Sequence, residues 1–172
     1  MKRSFKLLVA AVFAATALLS GSSLKAQDAP PAGGFKNAFL NMNKSGKVAL
    51  TYTRWDDQVG KGNYTLAFFW ASWSDEAREE LPYIQAVQKK YAGKVKVLGV
   101  TYGDEIQDSM DAIQEWGITF PSFVFVEDAV PDGQFDIDSI LLVILFGPEG
   151  KIVARDLHGE EIEAAVKEAL KL

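Results

Sequence analysis

Residues 65–82 read TLAFFWASWSDEAREELP, and the change of pattern within them decides the fold. Thr65 to Ala71 is a near-continuous apolar run rich in aromatics, the composition of a strand buried on both faces. From Ser74 to Tyr91 the period lengthens. Ala77, Leu81, Ile84 and Val87 stand three or four apart with charges between them, which predicts an amphipathic helix. Ser74 is placed to cap that helix, its oxygen reaching a free backbone N–H, and Asp75 and Glu76 sit at the positive end of the helix dipole. A buried strand that leads straight into a helix opens a β-α-β unit.

Lys94 to Tyr102 (KVKVLGVTY) predicts the second, parallel strand of that unit. Asp104 to Trp116 follows as a second helix, with Ile106, Met110, Ile113 and Trp116 on one side and Gly117 at its end. Ile140 to Phe146 (ILLVILF) is the most apolar stretch of the domain and predicts a central strand. Gly147 to Gly150 is a turn, and Lys151 to Leu157 alternates as an antiparallel partner. Gly159 to Leu172 predicts a closing helix with Ile162, Ala165, Val166 and Leu170 inward. Upstream, Lys47 to Thr53 predicts an extra strand. Strand, helix, strand, helix, hairpin and helix describe an α/β domain with a mixed sheet covered on both faces.

The N-terminus reads as an address. Lys2, Arg3 and Lys6 precede an apolar run from Leu7 to Leu19, small polar residues follow, and Ala26 offers a cleavage point. This is the layout of a secretory signal peptide over residues 1–26. The run is shorter than the roughly 20 residues a spanning helix needs, so no stable membrane span is expected after cleavage. Residues 27–35, rich in proline and glycine, read as a flexible linker, and 36–172 as one domain in the periplasm or otherwise exported. Removing the leader takes away four basic residues and no acidic one, lowering the net charge of −5 by four, to −9. That balance argues against nucleic acid, whose phosphates are met by Lys and Arg. The 172 residues contain no cysteine, which excludes a disulfide framework, a thiolate metal site and a cysteine nucleophile.

The stretch Phe69 to Pro82 resembles the active-site segment of exported thioredoxin-like proteins of the TlpA/ResA type, F-W-A-x-W-C-x-x-C-R-x-E-x-P. Trp70, Ala71, Trp73, Arg78, Glu80 and Pro82 fall in register, and the two cysteine positions are Ser74 and Ala77. Trp116 to Pro121 (WGITFP) is similar to the family segment that opens an insertion, and Phe135 to Val153 lines up with its last hairpin. On that register Leu141 stands where the family has a cis-proline; a second register would give that place to Pro121. The resemblance implies a thioredoxin-like fold: a mixed central sheet flanked by helices, with an N-terminal strand extension and an inserted segment before the final hairpin. It also implies that the redox machinery is lost. Ser74 is far less acidic than a thiol, Ala77 has no resolving group, and a cis peptide before Leu141 would cost about 2.5–4 kcal/mol.

Other chemistry is sparse. His158 is the single histidine and reads as an exposed turn residue; a hydrolase would need it beside Ser74, and no G-x-S-x-G elbow is present. The acidic stretch Asp128 to Asp138 invites a calcium reading, but Val130 and Ser139 fail as ligands on the EF-hand spacing. No cofactor and no metal are expected. Trp73, Asp75, Glu76, Glu80 and Leu141 form the candidate surface for a protein partner. The expectation is a redox-inactive accessory or binding module. Oxidoreductase by family assignment and a calcium-dependent module are the alternatives.

Overall fold

The computed structural model describes residues 37–125 and 141–172. The leader, the linker and the acidic stretch from Asp128 to Asp138 lie outside the described residues, as does the start of the strand expected from Ile140.

The described elements run β1 Asn37–Met42, β2 Val48–Thr53, a short 3-10 turn Trp55–Asp57, β3 Tyr64–Trp70, α1 Asp75–Lys90, β4 Val95–Tyr102, α2 Ile106–Glu115, β5 Ser122–Phe125, β6 Leu142–Phe146, β7 Ile152–Ala154 and α3 Glu160–Leu170. They build one seven-stranded sheet in the order β2-β1-β5-β4-β3-β6-β7. β3, β4 and β5 are parallel, while β6 runs antiparallel to β3, and β1 antiparallel to β5.

Two strands escape the sequence pattern. β1 (NAFLNM) carries asparagine near each end and so lacks an apolar run. It is fixed by its neighbour: the Asn43 side-chain oxygen accepts from the Ser45 N–H, the Ser45 hydroxyl and the Lys47 N–H, closing the turn to β2. β5 is only four residues long. Of residues 123–126, considered as the hairpin strand under the Pro121 register, Phe123 to Phe125 lie instead in β5, beside β4 and two strands from β3, and Val126 lies outside the described residues.

The sheet is covered on both faces, as expected, with the described helices on one of them. Among the described residues α1, α2 and α3 all pack on one face, where Ala77, Leu81, Ile84, Val87, Ala112, Ile113, Ile162 and Val166 join Leu66, Phe68 and Trp70 in a single core. Two right-handed crossovers stepping the same way, β3 to β4 and β4 to β5, put α1 and α2 on the same side. The opposite face is aromatic. Trp55 and Val59 join Phe39, Phe69, Phe123 and Phe146 there, with the Trp55 ring 5.5 Å from Phe123 and 5.6 Å from Phe146.

Gly99 lets three elements meet. A β-carbon built on it would lie 2.1 Å from Ser122 Oγ and 2.8 Å from Trp70 Nε1. Gly99→Ala is therefore expected to lower stability by about 1–3 kcal/mol, the usual cost of forcing a methyl into a packed core; urea denaturation measures it, and an unchanged midpoint would show that β5 yields freely.

At the far end of the helical face, Glu163 of α3 accepts from Lys90, Lys167 and Tyr91, tying α3 to the end of α1. The Lys90 and Lys167 ammonium groups and the Tyr91 hydroxyl hold its carboxyl down to about 2, from an ordinary 4.5. A carboxyl depressed in the folded state stabilises above its unfolded value, and that contribution disappears as pH falls from about 4.5 toward 2. Glu163→Gln should flatten the loss of stability across that window in acid denaturation and, because the same carboxylate raises Lys90, also remove the stability that Lys90 loses as it deprotonates on the alkaline side.

Candidate functional site

β3 ends at Trp70, the chain turns through Ala71 to Ser74, and α1 starts at Asp75. Ser74 is extended (φ −92°, ψ 110°) and caps the helix: its hydroxyl oxygen accepts the Ala77 N–H at 3.1 Å and donates to a Glu76 carboxylate oxygen at 3.2 Å. The residue is only 5% exposed. Ala77 is wholly buried in the helical core. The hydroxyl is thus spent on the helix end, and the position one turn on presents only a methyl to the interior. Trp73, by contrast, is 61% exposed.

The turn that carries Trp73 is held from below by a residue the sequence pattern placed in a helix. Asp104 lies before α2, buried to 3% exposure, and its carboxylate accepts the Ser72 N–H at 2.8 Å, the Ser72 hydroxyl at 3.1 Å and the Ser109 hydroxyl at 3.3 Å. The available signal was positional. Asp104 follows β4 at the carboxyl end of parallel strands, the end where open α/β sheets put their sites.

A second grouping also passed unnoticed. The Trp116 ring stacks at a tilt on Trp70 with centroids 5.3 Å apart, the Arg78 guanidinium lies 5.7 Å over Trp116, and Arg78 reaches Glu115 at 3.6 Å. Arg78 and Trp116 were visible as motif residues; only folding brings them together.

Of the residues expected at a partner surface, Trp73, Asp75 and Glu76 are exposed on the same turn. Leu141 is half-buried against the helical core and directly precedes β6, whose first pair is Phe69↔Leu142, so it stands at the level of Trp70. Pro121 precedes β5, two strands away from β3. Glu80 must be corrected. It is 9% exposed, and its carboxylate accepts the Gly159 N–H ahead of α3. Its inward position on α1 makes it a clamp between helices and removes it from the partner surface.

The Ser74 hydroxyl accepts a backbone N–H and donates to the Glu76 carboxylate. His158 is exposed before α3, its backbone N–H directed to Glu161. Among the described residues no group of three or more His, Asp or Glu is arranged to hold a metal ion, and no helix is long and apolar enough to cross a membrane.

A β-α-β unit whose first helix begins at the site, completed by an antiparallel hairpin and a final helix, defines a thioredoxin-like protein. No family model matches the chain. The thiol-disulfide oxidoreductase ResA of Bacillus subtilis (strain 168) is 25% identical over 113 residues, 65% of this chain and 62% of that protein. The thioredoxin-like protein YneN of the same organism is 26% identical over 104 residues, 59% of each. The chain thus spans about three-fifths of the length of these two curated relatives. Among solved structures, the thioredoxin domain of a thiol-disulfide oxidoreductase from Bacteroides vulgatus superposes with a TM-score of 0.66 at 26% identity, covering 85% of this chain and 98% of that domain. The chain has a thioredoxin-like fold, carries no cysteine and is similar to thiol-disulfide oxidoreductases.

Proposed function

We propose that this is an exported thioredoxin-fold protein that does not carry out thiol–disulfide exchange and instead binds a protein partner with the face around Trp73. One observation carries the reading. The position from which a thiolate would attack is a capping serine, the resolving position is a buried methyl, and the adjacent tryptophan is nevertheless left 61% exposed. Exchange requires a sulfur that becomes a thiolate, and the chain has none to offer. An exposed large aromatic with Asp75 and Glu76 exposed on the same turn, and half-buried Leu141 at the level of Trp70, has the make-up of an interface anchor. The basic-apolar layout of residues 1–26 supports export.

The purified protein is expected to be blank in insulin reduction; turnover above background would overturn the reading. Trp73→Ala is expected to weaken a partner cross-linked in the native envelope by at least about tenfold, as loss of an aromatic anchor does. Tyr83→Ala, at an exposed aromatic on α1, serves as the control. Equal recovery with both variants would remove the Trp73 face from consideration.

A further inference from the structure

We infer that β2 is a self-association edge, on which a second copy of this chain adds its own β2 in antiparallel register. β2 is the outermost strand of the described sheet, so its far side presents a row of backbone N–H and C=O groups with no described strand beyond it. The two edges of the sheet are built differently. β7 has three residues, a register shift against β6, and charged Lys151 and Arg155 at its ends, the devices that blunt an edge. β2 has six residues, VALTYT, without a charge, a proline or a bulge, paired regularly with β1 at all six positions. It also leaves Leu50 41% and Tyr52 60% exposed. Both point to the helical face, since their partners across the ladder are Leu40 and Ala38, members of the helical core.

The charges at the two ends of β2 select the occupant. The turn that enters it carries exposed Lys44 and Lys47 and no acid, whereas its exit carries Arg54 followed by exposed Asp56 and Asp57. Antiparallel pairing about a two-fold axis sets the lysine end of one copy against the aspartate end of the other. Parallel pairing would set like ends together. The neutral strand between them allows a two-fold arrangement to place Val48, Leu50 and Tyr52 of each copy in one row, where cross-strand apolar pairs add stability and no like charges oppose. The result is a closed dimer with a continuous sheet. It lies at the sheet edge, with three strands between it and β3 and the Trp73 turn, and leaves that turn free.

Sedimentation equilibrium of the chain from residue 27 onward, across micromolar to submillimolar concentrations, tests the inference. A monomer–dimer equilibrium is expected. Leu50→Lys and Leu50→Glu should each weaken it by about tenfold or more, since each brings like charges together across the axis. Mixing the two variants should restore association as a heterodimer. Unchanged far-ultraviolet circular dichroism and melting confirm that both variants fold, since Leu50 is exposed. A wild-type monomer throughout the range, a dimer indifferent to both variants, open-ended polymers, or a mixture that fails to associate would each overturn it.

Discussion

Ser74→Cys is expected to yield a thiol that titrates below the ordinary value of about 8.5, and Ser74→Cys with Ala77→Cys to yield a chain that forms an internal disulfide and reduces insulin, where the wild type does neither. The sulfur would replace an oxygen that already accepts the Ala77 N–H at the first turn of α1, so the helix end is prepared to stabilise a negative charge. The opposing influence is Glu76, whose carboxylate accepts from the Ser74 hydroxyl and would repel a thiolate. Adding Glu76→Gln should therefore move the thiol further down, and that ordering is the sharper test. Leu141→Pro asks separately whether the facing loop limits turnover. A thiol at or above about 8.5 in both variants would mean that the scaffold, and not only the sulfur, has left the chemistry behind.

Asp104→Ala is expected to cost about 3 kcal/mol, on the order of one or two hydrogen bonds to a charged group, because it removes the acceptor of the half-buried Ser72 N–H and hydroxyl, while the buried Ser109 hydroxyl keeps only Thr101. Asp104→Asn, which keeps an acceptor of the same shape, should lose less. Denaturant melts give the stability, and hydrogen exchange at the Ser72 amide reports the turn itself. Protection at Ser72 should fall in Asp104→Ala even after correction for global stability. Equal protection in wild type and variant would show that the turn carrying Trp73 is held by other contacts. If partner binding resides on that turn, Asp104→Ala should weaken it without touching the surface.

The elements with the strongest apolar patterning were the most legible. The apolar runs at 65–70 and 142–146 and the helical period at 75–90 each state their structure locally, because burial on both faces or on one stripe leaves a periodic mark. β1 and β5 left none. Their strand state comes from neighbours, β1 lying between β2 and β5, and β5 between β1 and β4. The side of the sheet taken by each helix was likewise invisible, since period gives a buried face and not the surface it meets.

The site divides in the same way. That no sulfur stands at positions 74 and 77 is fixed by the residues alone, because a missing atom needs no coordinates. What became of those positions was decided by the tertiary structure. Packing directs Ser74 onto its helix end, seals Ala77 in the core, turns Glu80 inward to Gly159 and leaves Trp73 in solvent. Asp104, 30 residues beyond Ser74, enters the account only because parallel strands bring their carboxyl ends together. Chemistry lost is a property of composition. Surface retained is a property of the fold, set by which side chains the core can enclose.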